Sequence, residues 1–280
     1  MESEAGLTQG DAIAWSLAVT LGWLVAVSTL FSAVPGARNE LVTIVGVQVA
    51  VYLAACALFS SRRPGKNWSQ LFAFRRTSVA LLVFSLLLGV ALYPPAELLA
   101  SLIEKRFPLP KELMEDNVAL LVPRNVVHGT ALALMVALLG PFVEELFFRG
   151  ALYTGLRSRN RVFASAGTCA ALFTLSHPEP RAWAPIFALA VALAYLRVAG
   201  GSLWPGLLLH AGFNGTSLTM SFLSGGSASF HAEGQVVAVS AVSAVVLLGL
   251  SILIAQRSPA AARARAGDET AALPNDPALS

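Results

Sequence analysis

Charged residues make up only 12% of this 280-residue sequence, about half the share of an ordinary soluble domain. With 56% of positions hydrophobic, that shortage excludes a soluble globular fold, which needs polar residues to cover its surface. Cysteine is nearly absent. Cys56 and Cys169 are the two, each inside an apolar stretch, which speaks against a disulfide framework or a thiolate metal site and for small buried apolar side chains. The net charge is only +3, and no basic stripe interleaved with aromatics occurs, so nucleic acid is not an expected partner. No Lys or Arg precedes the first apolar run, residues 12–34. That run is also longer than the h-region of a signal peptide, so it reads as a membrane span.

What the chain does have is long apolar runs. Crossing a bilayer takes about 20 apolar residues as a helix, the one open-ended element that satisfies its own backbone in lipid. Eight segments qualify as candidates: 12–34, 40–61, 77–100, 128–156, 162–177, 182–199, 203–223 and 235–256. The expected fold is therefore all-α, a polytopic membrane protein of about eight transmembrane helices in one bundle with an intramembrane polar cavity. Residues 1–11 form a short N-terminal segment, 12–256 one membrane domain, and 257–280, rich in Ala and Pro and without aromatics, a disordered tail. The polar connection 101–127 reads as an amphipathic helix at the interface or a partner-binding loop. Eight spans put both termini on one side. Arg62, Arg63, Lys66, Arg75, Arg76, Arg149, Arg157, Arg159, Arg161, Arg197, Arg257, Arg263 and Arg265, 13 in all, fall there, against 6 opposite, Arg38, Lys105, Arg106, Lys111, Arg124 and Arg181. That excess makes the shared side cytoplasmic.

Against this background the run Gly140-Pro-Phe-Val-Glu-Glu-Leu-Phe-Phe-Arg149 stands out. An ionised side chain at membrane depth costs roughly 2.5–3.5 kcal/mol or more. Glu145 and Arg149 are one helical turn apart and share a face, so they can form an ion pair. Glu144 is rotated about 100° away and has no such partner in its own helix. Two further polar groups lie at membrane depth. Phe173 and His177 are four residues apart at the end of the fifth segment, and His210 and Asn214 share a face in the seventh. At 1.5 Å per residue, Glu144 lies about 20 Å from Arg157, His177 about 24 Å from Arg161 and His210 about 12 Å from Ser202. With some tilt, all can line one cavity. Taken singly, each has a structural reading: an interhelical hydrogen bond for either histidine or for Asn214, packing for Phe147, Phe148 and Phe173, a positioning role for Glu145. His128 reads as interfacial and His231 as solvated. The joint occurrence of two glutamates, two histidines and an asparagine at compatible depth is what those readings leave unexplained.

Glu-Glu-x-x-x-Arg at 144–149, Phe-x-x-x-His at 173–177 and His-x-x-x-Asn at 210–214, in this order on separate apolar segments, resemble the CPBP intramembrane proteases. That family includes type II CAAX prenyl endopeptidases and bacteriocin-immunity-related proteins. The resemblance covers roughly residues 128–223. It implies peptide-bond hydrolysis within the membrane, with Glu144 the base that activates water, assisted by His177. His210 and Asn214 would stabilise the oxyanion, Glu145 would belong to the catalytic set, and Arg149 and Phe173 would support it. The same residues allow a second mechanism, in which His177, His210 and Glu144 hold a Zn²⁺ ion that activates the water. The compact His-Glu-x-x-His spacing of soluble zinc proteases is missing. The implied partners are the lipid bilayer and a membrane-associated protein or peptide substrate; alanine-rich segments and the absence of eukaryotic targeting signals point to the inner membrane of a bacterium. A different class of function uses the same cluster without catalysis, as a transporter or an immunity or adaptor protein that binds a proton or ligand.

Overall fold

A computed structural model describes residues 6–256 of the chain, apart from 35, 38, 39, 64, 66 and 224–233. The tail 257–280 and His231 lie outside the described residues. Ten helices carry the described chain: α1 (Gln9–Ala33), α2 (Leu41–Ser61), α3 (Trp68–Leu71), α4 (Val79–Arg106), α5 (Lys111–Ala119), α6 (Val126–Arg157), α7 (Val162–Leu175), α8 (Trp183–Gly200), α9 (Trp204–Leu223) and α10 (Gly234–Gln256). There is no strand among the described residues, so the all-α expectation holds. The protein is a multi-pass membrane protein.

The count of eight full spans needs correcting. Helices occupy all eight positions, but six of them are long and apolar enough to cross a bilayer. α7 has 14 residues, about 21 Å at 1.5 Å per residue. It stops early because Phe173's carbonyl accepts hydrogen bonds from the Ser176 hydroxyl and the His177 ring, both at 2.8 Å. Those bonds end the ladder at Leu175 where apolarity alone carried it to 177. α9 has 20 residues but carries His210, Asn214, Thr216, Ser217 and Thr219, which reduce its hydropathy. Helix α4 departs in the other direction. It runs on to Arg106 instead of ending near residue 100, straight through Pro94 and Pro95. Prolines are tolerated within membrane helices where neighbouring groups satisfy the freed carbonyls. The 101–127 connection thus divides into the end of α4 and the nine-residue α5.

Helix α4 is the central strut: α9 and α10 both lie along it. Helices α7 and α8 pack as a pair, and α2 lies against the middle of α6. At the start of α2 and α6, Arg124 donates to Glu40 at 2.6 Å, and that bond holds the Glu40 carboxyl below the usual carboxylate range. The core is aromatic where α1, α2 and α6 meet. Phe147 packs edge-on against Trp15, Tyr52 and Phe148, and Trp15 stacks on Phe59.

The α4–α9 contact uses small residues so that the two backbones can touch. A Cβ on Gly89 would collide with the Leu209 carbonyl, and one on Gly212 would sit 2.6 Å from the Leu86 carbonyl. Both obstacles are backbone, so the helices themselves must separate to admit a methyl group. Because Leu209 adjoins His210, that separation moves the site as well. Gly89→Ala and Gly212→Ala should each destabilise the protein by about 1–3 kcal/mol, the usual cost of overpacking. The two effects should be less than additive, since one widened contact accommodates both. Thermal midpoints of the two single variants and the double variant in detergent measure this. Wild-type midpoints for both single variants would contradict the packing account.

Candidate active site

Helix α6 does not run as a uniform α-helix through its functional stretch. Glu144 and Glu145 close a short α segment, Gly140–Glu145, bracketed by two π-helical segments, Ala133–Leu139 and Leu146–Leu152. Such insertions are rare and recur at functional sites. The first has a local cause and a consequence. Gly140 N–H donates to the Met135 carbonyl, five residues back. The next bond in that register would run from residue 141 to Val136, but Pro141 has no N–H. The Val136 carbonyl instead accepts from the Asn214 side-chain amide at 3.0 Å. A backbone vacancy on α6 thereby positions Asn214 on α9, with one of its two amide hydrogens engaged.

Glu145 and Arg149 form the anchored pair that their spacing predicted. Arg149 Nη1 donates to Glu145 Oε1 at 2.9 Å, with the glutamate 0% and the arginine 1% exposed. Arg149 Nη2 donates to the Ala190 carbonyl of α8 at 3.2 Å, and the guanidinium lies 4.4 Å over the Phe173 ring. The Arg149 carbonyl in turn accepts from Arg197 Nε at 2.9 Å. On the far side of the pair, a Cβ at Gly206 would come 3.0 Å from Glu145 Oε2, so the absence of a side chain there makes room for the carboxylate.

Glu144 differs in environment. It has no partner within α6, as its position on the helix predicted, yet both of its oxygens are engaged from other helices. Gln48 Nε2 on α2 donates to Oε1 at 2.6 Å, and His210 Nε2 on α9 stands 3.5 Å from Oε2. Glu144 lines a cavity of about 340 Å³ together with Gln48, Tyr52, Ser176, His177 and Asn214. Apolar walls come from Trp23, Ile44, Val45, Met135 and Pro141. His210 is 3% exposed and sits behind the carboxylates, its Nδ1 3.3 Å from Glu145 Oε1. One imidazole thus spans both glutamates.

His177 lies two residues beyond α7, not within it. Its Nδ1 is 2.8 Å from the Phe173 carbonyl. A carbonyl can only accept, so Nδ1 carries the hydrogen, and in the neutral ring Nε2 is left as the acceptor. The carbonyl of His177 accepts from Trp183 Nε1 at 2.9 Å, which fixes the turn into α8. Phe173 is the common floor: its ring is edge-on to His177 at 4.9 Å, to His210 at 5.7 Å and to Phe148 at 5.3 Å.

Among the described residues, no three His, Cys, Asp or Glu side chains gather as metal ligands do. Zinc needs donors about 2.0–2.2 Å from one point. Of the candidates, His177 keeps Nε2 free, its Nδ1 being held by the Phe173 carbonyl, while both ring nitrogens of His210 face carboxylates, one of them that of Glu144. The contact that sequence reasoning missed is Gln48. It lies far from the motifs along the chain, but one signal was available. Gln48 and Tyr52 are an amide and a phenol one helical turn apart in an otherwise apolar span, and both reach the cavity.

Residues 126–216 match the family model for the Rce1-like type II CAAX prenyl endopeptidases. The match takes in all three motifs, Glu144 to Arg149, Phe173 to His177 and His210 to Asn214, and reaches from the start of α6 into α9. No curated protein and no solved structure matches the chain. The chain is thus a multi-pass helical protein that is similar, over about a third of its length, to a family of membrane proteases.

The burial of Arg149 yields a prediction about its role. Removing one member of a buried ion pair strands the other charge and costs about 3–5 kcal/mol. Arg149→Ala should therefore lower folded yield and activity together. Pairing it with Glu145→Gln should recover part of the folded yield, because the stranded carboxylate is gone. Size-exclusion profiles and thermal midpoints of the three proteins test this. A fully folded but fully inactive Arg149→Ala protein would assign the arginine a direct part in the chemistry instead.

Proposed function

We propose that the protein is an intramembrane endopeptidase that hydrolyses a peptide bond of a membrane-associated protein or peptide precursor. The observation that carries this reading is the placement of the Glu144 carboxylate at the wall of a cavity also lined by His177 and Asn214, with His210 directly behind it. In this reading water in the cavity attacks the scissile carbonyl carbon while Glu144 takes its proton. His177, held as the tautomer with Nε2 free to accept, orients the water. Negative charge gathers on the former carbonyl oxygen, where the second amide hydrogen of Asn214 donates, and His210 Nε2 donates as well when the ring carries a hydrogen on both nitrogens, the Nδ1 hydrogen facing Glu145. The tetrahedral intermediate then collapses with cleavage of the C–N bond, and the leaving amine takes the proton from Glu144. Glu145, compensated by Arg149, supports His210 through its Nδ1 and so keeps the Nε2 side toward the reaction.

The apolar cavity walls favour a substrate segment of modest apolar side chains. The basic residues Arg62, Arg63, Arg157 and Arg159 support an orientation with both termini in the cytoplasm.

Loss of the base should abolish processing without unfolding the protein. In a strain lacking the protein, complementation with wild type should restore specific new N-termini in the membrane or secreted proteome. Glu144→Gln, folded to the wild-type thermal midpoint, should restore none. Equal restoration by Glu144→Gln would favour the binding or adaptor role.

The metal-free route makes a separate prediction. Purified protein should contain no stoichiometric zinc and should keep its activity in chelator. A zinc content near one per chain that is lost in His177→Ala or His210→Ala would overturn it, since removing a ligand leaves too few donors to hold the ion.

A further inference from the structure

Gln48 is a hydrogen-bond partner of Glu144 that the family match does not reach, since α2 lies outside residues 126–216. It sits seven residues past the start of α2, about 10 Å along the helix at 1.5 Å per residue. A primary amide in such an apolar span is costly unless its hydrogen bonds are met. The one it makes is short, 2.6 Å from Nε2 to Glu144 Oε1. A carboxylate only accepts, so the amide nitrogen must face it. The other oxygen, Oε2, faces His210 Nε2 at 3.5 Å. Contacts from two different helices thus fix the plane of this carboxylate.

The chemistry of the partner matters as much as the contact. Glu145 is matched by the Arg149 cation. Glu144 is matched on the α2 side by a neutral amide, which orients the carboxylate without cancelling its charge. The other titratable or charged groups around Glu144 are Tyr52 from α2, His177 beyond α7, His210 from α9, and Glu145 and Arg149 on its own helix. The short bond to Oε1 comes from Gln48.

We propose that Gln48 is a positioning residue of the hydrolytic centre: its amide holds one oxygen of Glu144 so that the carboxylate presents a fixed face to the attacking water. The proposal rests on the reading of Glu144 as the base. It also implies that α2 completes a site whose motifs all lie on later helices.

Two variants separate positioning from packing. Gln48→Met is nearly isosteric and suits an apolar helix but cannot donate. Gln48→Asn keeps the amide on a shorter arm. A packing role ranks Met at or above Asn, whereas a positioning role ranks Asn above Met. With a fluorogenic peptide spanning a cleavage site found by the strain comparison, kcat of Gln48→Met should fall about 10- to 100-fold, the scale of a small misplacement of a catalytic group. KM should stay within about threefold, because the apolar walls from Trp23, Ile44, Val45, Met135 and Pro141 are unchanged. Gln48→Asn should recover part of the rate. Infrared spectra supply a readout independent of turnover: the carboxylate band that Glu144→Gln removes should shift in Gln48→Met. A Gln48→Met enzyme with kcat within twofold of wild type and an unmoved band would overturn the assignment of Gln48 alone. A wild-type protein that cleaves nothing would overturn the hydrolytic reading, and the positioning role with it, whatever the band does.

Discussion

An ion pair removed from water sets the terms for this protein. Glu145 and Arg149 are both fully buried within an apolar bundle, where the attraction between opposite charges is strong but each unpaired charge is very expensive. Arg149 therefore needs more than its carboxylate. A further donor and its flat face are met by the Ala190 carbonyl and the Phe173 ring, and its backbone carbonyl is tied to Arg197. These contacts draw α6, α7 and α8 to one point. Once that point is fixed, the Phe173 ring orients both histidines, and Glu145 orients His210.

Adjacent glutamates of the same chemistry thus come to differ through their neighbours. Glu145 is sealed and compensated by a cation. Glu144, one residue earlier, emerges at a cavity and is held by neutral or titratable groups from α2 and α9. The π-helical segments on either side of the pair adjust the direction of each side chain. Pro141 converts the first of them into a docking point for Asn214. A site assembled this way depends on local helix irregularity as much as on residue identity.

Much of this was legible in the sequence, because membrane burial makes polar residues conspicuous. Apolar runs located the helices, and helical spacing paired Glu145 with Arg149 and placed Phe173 beside His177. The resemblance of three spaced motifs agreed with the family match over 126–216. What escaped reading was set by contacts distant along the chain or by local capping. Gln48 meets Glu144 across 96 residues, a contact that no periodicity reveals. The end of α7 at Leu175 depends on side chains that bond the Phe173 carbonyl, which hydropathy does not register. Helix α4 passes its two prolines because neighbouring helices shelter it, and a sequence window contains no such neighbours.

The central claim is that Glu144 acts on water at a peptide bond, and oxygen isotopes test it most directly. A single turnover of purified protein in ¹⁸O-water, with enzyme in excess over a peptide it cleaves, should place one ¹⁸O in the new C-terminal carboxylate. The Glu144 side chain should remain unlabelled, and Glu144→Gln should yield no product. An unlabelled product with ¹⁸O appearing in the Glu144 carboxyl would mean that the glutamate attacks the substrate itself. Cleavage undiminished in Glu144→Gln would remove Glu144 from the chemistry altogether. Either result would contradict a mechanism in which Glu144 is the base.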